Sequence, residues 1–137
     1  PLERRPDGTQ VRVIAGETAA GTTGAVRNDY VRPHYLDVTL PANTEFEQTV
    51  ETGAHAFLFV IEGELAVGPK NQPLAGRILG VLGPGDRIAV TAGEAGARFL
   101  LVAAQPLNEP VARGGPFVMN TRDEVLQAFD DFRNNRF

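Results

Sequence analysis

Short runs in which apolar and polar residues alternate recur along the first 104 residues, and Gly, Pro or Asn separates one run from the next. Alternation with a period of two places every second side chain on the same face of a β-strand. About eight or nine short strands at regular spacing, each followed by a turn signal, are typical of a β-sandwich or β-barrel. The runs are 11–15, 35–40, 45–50, 54–61, 65–67, 77–82, 87–91 and 98–103.

Two glycine-containing segments within this pattern predict tight turns. Glu62-Gly63-Glu64 lies between the runs 54–61 and 65–67, and the segment 93–96 lies between the runs 87–91 and 98–103. Glycine flanked by polar residues is the usual composition of a turn between two strands. We therefore predict a β-barrel over residues 11–104, preceded by a linker or frayed end at 1–10.

The pattern changes after residue 104. Residues 105–120 contain three prolines and two glycines and predict an extended crossing segment. Residues 121–137 predict a C-terminal helix, because Thr121 and Glu124 have the spacing of a capping box. Val125, Phe129 and Phe132 then form one apolar stripe, which packs either on the chain's own strands or on a partner domain.

Composition excludes several classes of function. The chain has a net charge of −4, which disfavours direct binding to nucleic acid. It contains neither cysteine nor serine, so disulfides, cysteine zinc sites and serine-hydrolase triads are excluded. The longest apolar runs, such as 99–104, are too short to span a membrane. With no signal sequence at its start, the chain is expected to be cytoplasmic.

The stretch 52–68 and the turn at Gly85-Asp86 resemble the cupin family, whose barrels hold a divalent metal with three His and one Glu. Aligned by Val60-Ile-Glu-Gly63, the Glu position of that family falls on Ala56, and two His positions fall within 49–52. The third His position falls on Gly96. The resemblance therefore implies a cupin-type double-stranded β-helix, or jelly roll, with no metal ligand and no catalytic residue.

Neither histidine of the chain is expected to take the place of a missing metal ligand. His55 lies next to Ala56, and neighbouring residues of a strand point to opposite faces. His34 follows a proline at the start of a predicted strand. Both are expected to be hydrogen-bonded or interface histidines.

The run 105–121, which reads QPLNEPVARGGPFVMNT, resembles the C-terminal domain of pirin-family proteins, and so do the segments 11–16 and 35–38. The resemblance implies one half of a bicupin. The other half, N-terminal to this one, would carry a single iron on three His and one Glu. Some members of the family have quercetin 2,3-dioxygenase activity, and one is a nuclear transcription co-regulator.

Two hypotheses of function follow from this resemblance. The chain is either the non-catalytic half of a flavonoid dioxygenase or a stand-alone binding or transcription co-regulatory module without enzymatic activity. The chain begins at Pro1, so a piece of a longer protein and a natural single domain both stay open. A barrel of this size could also hold one small apolar ligand.

The strand at 54–61 predicts an interaction surface. If Ala56 and its alternating neighbours face the interior, the outward side chains are His55, Phe57, Phe59 and Ile61. The solvent face of an antiparallel sheet is normally polar, so an apolar outer face implies a cover. The cover is either the C-terminal helix, through Phe129 and Phe132, or a second barrel or subunit.

Overall fold

The computed structural model describes residues 1–136 of the chain, so Phe137, the end of the predicted 121–137 helix, lies outside the described residues. The chain forms two compact units, Pro1–Pro106 and a second unit from Leu107 onward. The first unit contains eight strands: β1 (Leu2–Arg4), β2 (Gln10–Ala15), β3 (His34–Leu40), β4 (Glu45–Thr49), β5 (His55–Val67), β6 (Gln72–Ala75), β7 (Leu79–Val81) and β8 (Arg87–Ala104).

Two antiparallel layers share the long strands β5 and β8. In the first sheet the strands lie side by side in the order β1, β2, β3, β8, β5 and β7. In the second sheet the order is β4, β8, β5 and β6. β8 contributes its C-terminal half to the first sheet and its N-terminal half to the second, whereas β5 contributes the halves in the opposite order.

The predicted turns at 62–64 and 93–96 are wrong, because both strands continue through these segments. β5 and β8 each bend where they pass from one sheet to the other, and their pairing shifts register on both sides of Gly63. Gly63 and Gly96 have φ of +74° and +73°, which glycine adopts without steric cost. A Cβ on Gly63 would overlap with the carbonyl oxygen of Gly96, so the crossing needs glycine.

The apolar residues predicted to face inward do so. Ala56, Leu58 and Val60 are buried, and their neighbours Phe57 and Phe59 on the opposite face are only half-buried. The core extends across both sheets as one cluster, in which the rings of Phe46 and Phe99 meet edge to face at 5.9 Å. Burial of these side chains is the main stabilising contribution to the first unit.

Residues 1–10 are a paired edge of the first sheet and not a linker or frayed end. β1 pairs with β2, and Glu3 is only 8% exposed. The carboxylate of Glu3 accepts hydrogen bonds from the Thr18 hydroxyl and from Nε of Arg5 at 2.7 Å. The guanidinium of Arg5 in turn lies 5.0 Å from the centre of the Phe46 ring. Polar composition suggested a free end, but these partners, distant in sequence, order it.

The second unit consists of a small hairpin and one helix. β9 (Ala112–Gly114) pairs with β10 (Phe117–Met119), so the predicted crossing segment 105–120 contains a hairpin. α1 (Arg122–Arg133) begins after the N-cap Thr121 with the predicted capping box. The helix stripe packs on the hairpin, where Phe129 meets Phe117 edge to face at 5.0 Å. No helix within residues 1–136 is long and apolar enough to cross a membrane.

We expect Gly63→Ala to destabilise the first unit. The left-handed backbone should cost roughly 1–3 kcal/mol, and the overlap with Gly96 about as much again. Gly68→Ala is the matched control, because Gly68 also has a positive φ, of +66°, but nothing lies within 4 Å of an added Cβ. Urea unfolding followed by circular dichroism measures both. Equal midpoints for the two variants would contradict the role of the close approach.

We also expect Glu3 to make stability depend on acidity. Burial alone would raise the pKa of the Glu3 carboxyl, but the hydrogen bonds from Thr18 and Arg5 outweigh it and lower the pKa. A lowered pKa stabilises the fold above the unfolded value of about 4.3, and this stabilisation is lost as pH falls through the folded value.

Glu3→Gln should therefore lower stability at pH 7 and flatten its loss between about pH 5 and pH 3. The exposed Glu45 on β4 supplies a matched control, Glu45→Gln. Thermal melts over this pH range compare the three proteins. A Glu3→Gln profile parallel to that of the unaltered protein would show that Glu3 is not the titrating group.

Candidate functional site

Two of the positions that were expected to correspond to metal ligands, Ala56 and Val50, lie in an apolar interior. Ala56 is 8% exposed and belongs to the core cluster. Of residues 49–52, only Val50 is buried. The inward side chains of β4 and the residue that follows it are Phe46, Gln48 and Val50. None of these groups is a strong ligand for iron.

Gly96 does not correspond to an inward strand position. It has a positive φ at the bend of β8, and a Cβ there would lie 2.7 Å from the carbonyl oxygen of Leu40. A histidine could therefore not replace it without movement of the backbone. The inward side chains nearby belong to Ala97 and Phe99. The assignment of a histidine position to Gly96 by turn spacing is not supported by this geometry.

Gln48 is a buried polar residue that the sequence analysis missed. Its Nε2 donates to the backbone oxygens of Glu17 at 3.1 Å and Thr49 at 2.9 Å. Its Oε1 is buried and has no hydrogen-bond partner among the described residues. The alternation of Phe46, Gln48 and Val50 could have identified it as inward-facing. One amide oxygen does not make a metal site.

The two histidines occupy different places. His55 is exposed on β5, whereas His34 begins β3 and lines a cleft of about 350 Å³. Glu51 lines the same cleft, and hydrogen bonding from Arg32, with Nε at 3.0 Å, lowers the pKa of its carboxyl. Among residues 1–136, no three His, Cys, Asp or Glu side chains are grouped so that they could hold a metal ion. The described residues of this chain therefore do not fit iron.

The outer faces of the two sheets differ in character. In the second sheet, the strands β4 and β8 present mainly polar side chains, as expected for a surface in contact with water. Oε2 of Glu47 lies 3.3 Å from Nη1 of Arg87 across the strands β4 and β8. The other outward residues of β4 and β8 in this sheet are Glu45, Thr49, Ala89 and Thr91.

The first sheet presents two apolar rows on its outer face. Directly paired residues of neighbouring strands point to the same side, so the register identifies each row. One row crosses β7, β5, β8 and β3 and consists of Val81, Phe57, Val102 and Tyr35. The next row crosses β7, β5 and β8 and consists of Leu79, Phe59 and Leu100. We call these seven residues the apolar face.

Charged residues border the apolar face on β2, β3 and β8. Arg98 binds Asp37 through two hydrogen bonds, from Nε at 3.0 Å and from Nη2 at 2.8 Å. These bonds raise the pKa of Arg98 and neutralise the pair. Arg12, which lies opposite Asp37 on β2, forms no ion pair with another described residue. An apolar centre with a charged rim is the usual composition of a protein interface.

The predicted interface residues thus fall into two groups. His55, Phe57 and Phe59 lie on the outward side of β5 in the first unit. Phe129 and Phe132 lie in the second unit, where the Phe132 ring is 6.2 Å from that of Phe117. Their predicted role in an interface is not decided by these contacts.

Comparison with known proteins identifies the family. The model of the pirin C-terminal cupin domain matches residues 35–137. A pirin-like protein from Caulobacter vibrioides is 43% identical over 137 residues, which covers 100% of this chain and 49% of that protein. The chain belongs to the pirin family. Human pirin is 39% identical over 133 residues, which is 93% of this chain and 44% of the human protein.

A solved relative supports the fold. The crystal structure of a quercetin 2,3-dioxygenase from Acinetobacter baumannii matches with a TM-score of 0.85 at 32% identity, and covers 99% of this chain and 46% of that one. The predicted cupin-type fold with one C-terminal helix is therefore confirmed. The chain spans about half the length of the curated relatives it matches, and it corresponds to the C-terminal half of a pirin-family protein.

Proposed function

We propose that this chain is the metal-free, non-catalytic cupin half of a pirin-family protein, and that it braces a catalytic half preceding it. That other half would carry iron and an activity of the quercetin 2,3-dioxygenase type. The single observation that carries the proposal is the apolar interior, in which Ala56, Val50 and Leu58 occupy the region where a cupin would present ligands. We place the protein in the cytoplasm.

The relatives support the part of this proposal that concerns the other half of the protein. The Acinetobacter protein is named a quercetin 2,3-dioxygenase, and the chain corresponds to 46% of its length. A reaction that needs a metal would have to use ligands from the remaining half, because this chain does not group such ligands within residues 1–136. A supporting role fits a domain whose buried side chains are almost all hydrocarbon.

A stand-alone binding or co-regulatory module is the second candidate. The observation that favours it is the complete core of the first unit, which buries Phe46, Phe99 and Leu101 without help from another chain. A small apolar ligand could serve such a module. The reading frame of the gene separates the candidates: an upstream cupin with His-x-His favours the first, and a start codon immediately before Pro1 favours the second.

We expect the chain, produced alone and purified without chelators, to bind less than about a tenth of an equivalent of iron, copper or manganese. The physical reason is that the interior of residues 1–136 holds no imidazole and a single carboxylate, that of Glu3, which already accepts hydrogen bonds from Thr18 and Arg5. Metal analysis by mass spectrometry tests this, with the full-length protein as the positive control. Near-stoichiometric metal in the isolated chain would overturn the metal-free assignment.

We expect the isolated chain not to oxidise quercetin. Its residues 1–136 offer neither a group of metal ligands nor a buried histidine that could act as a base. Oxygen uptake in the presence of added ferrous iron measures the activity, and the full-length protein should consume oxygen under the same conditions. Turnover by the isolated chain above the buffer background would contradict a non-catalytic role.

A further inference from the structure

We propose that the apolar face of the first sheet is the surface on which the other cupin half of the same polypeptide packs. The apolar rows would form the centre of this interface, and an acidic group of the other half would meet Arg12 at its margin. This inference rests on the proposed function, since it requires the chain to be one half of a two-barrel protein. It adds which surface is used and the chemistry that the partner surface must present.

The second sheet of the same unit acts as an internal comparison. Its outward residues Glu45, Glu47 and Arg87 are exposed and charged, as water contact requires. The equivalent outward positions of the first sheet carry Phe57 and Phe59 instead. Both sheets enclose the same core, so the need for a core does not explain the difference. An apolar outer face on one sheet alone indicates contact with another body on that side.

The edge of the apolar face is not covered within the described residues. Val81 is 78% exposed and Leu79 is 52% exposed. β7 pairs with β5 on one side, through bonds such as Val60 N to Ile78 O at 3.1 Å and Leu82 N to Ala56 O at 2.9 Å. In an antiparallel pair alternate residues bond to the partner, so the backbone groups of Leu79 and Val81 point away from β5. A free apolar edge of this kind is normally protected in native proteins.

The occupant is identified by the size of the relatives. This chain covers 49% of the Caulobacter protein and 44% of human pirin, so each carries about as much chain again. The match is to a C-terminal domain, which places that additional chain before it. A covalently attached body has an effective concentration in the millimolar range, so it can occupy a surface too small for a stable dimer.

The margin of the face gives the interface an electrostatic preference. Asp37 is already neutralised by Arg98, whereas Arg12 and Arg4 have no ion pair within residues 1–136. Arg4 lies on β1 opposite Gln10, close to Arg12 on β2. The two unpaired guanidinium groups favour an acidic partner at this corner, and such a contact would fix the orientation of the other half.

The test uses the full-length natural protein with Val81→Asp. Thr91→Asp introduces the same charge on the outer face of the second sheet and is the matched control. Packed halves should unfold in one calorimetric transition and give a compact particle in small-angle X-ray scattering. We expect Val81→Asp to split the transition in two and increase the radius of gyration. Thr91→Asp should leave both unchanged.

A second pair of variants tests the charge. Arg12→Glu should weaken the coupling between the halves at low salt, and added salt should reduce the difference from the unaltered protein. Arg87→Glu on the second sheet is the control and should have no effect on coupling. Because Arg12 and Val81 are both exposed, neither change removes a core side chain. Circular dichroism of the isolated chain checks that each variant folds.

The outcomes separate this inference from the proposed function. If Thr91→Asp splits the transition and Val81→Asp does not, the wrong face has been chosen, while metal analysis can still assign the iron to the other half. Two independent transitions in the unaltered protein, or a natural product that contains this chain alone, would overturn the inference. Equal effects of Arg12→Glu and Arg87→Glu would overturn the acidic contact.

Discussion

The close approach of Gly63 and Gly96 is the constraint on which the rest of the first unit depends. Both sheets share β5 and β8, and each of these strands changes sheet at this point. The change is possible because both residues adopt a left-handed backbone, and because neither has a Cβ to separate the strands. As a result, Leu58 before the bend and Leu65 after it contribute to one core. Without the bend, the two sheets could not enclose the same interior.

The local pattern of the sequence was sufficient to predict which face of each strand is buried. It was not sufficient to predict whether one strand ends in a turn or continues into the next. A period of two predicts that Leu58 and Val60 are buried, because side-chain alternation is a property of any single strand. A glycine between polar residues, as at Gly63, fits a hairpin turn and a bulged strand equally well, since both need a positive φ. The difference lies in the partner strand, about 33 residues away, which no local signal contains. The order of residues 1–10 depends similarly on a distant partner, Thr18.

The metal positions could be predicted only in part, for a related reason. Counting from Val60 along an uninterrupted strand correctly places Ala56 inside. Counting across the loop to β4, or across the bend to Gly96, does not determine the face, because one extra residue reverses the face of every later side chain. The structure places Gln48 and Val50 inward on one side, and Ala97 on the other. Among residues 1–136, Glu3 is the one buried acidic residue, its carboxylate already accepts hydrogen bonds from Thr18 and Arg5, and neither histidine is buried.

The two sheets enclose the same apolar interior but differ in the side chains of their outer faces. The buried side chains of the first unit are mostly hydrocarbon, so most of the polar and charged groups that it presents lie on its surface. On that surface, charged pairs such as Glu47 and Arg87 are compatible with water, whereas Phe57 and Phe59 are not fully so. The same backbone geometry produces both faces, since alternation requires only that every second residue be apolar. The fold does not constrain which residues occupy the outward positions. In the first sheet, the residues at these positions favour contact with another protein surface.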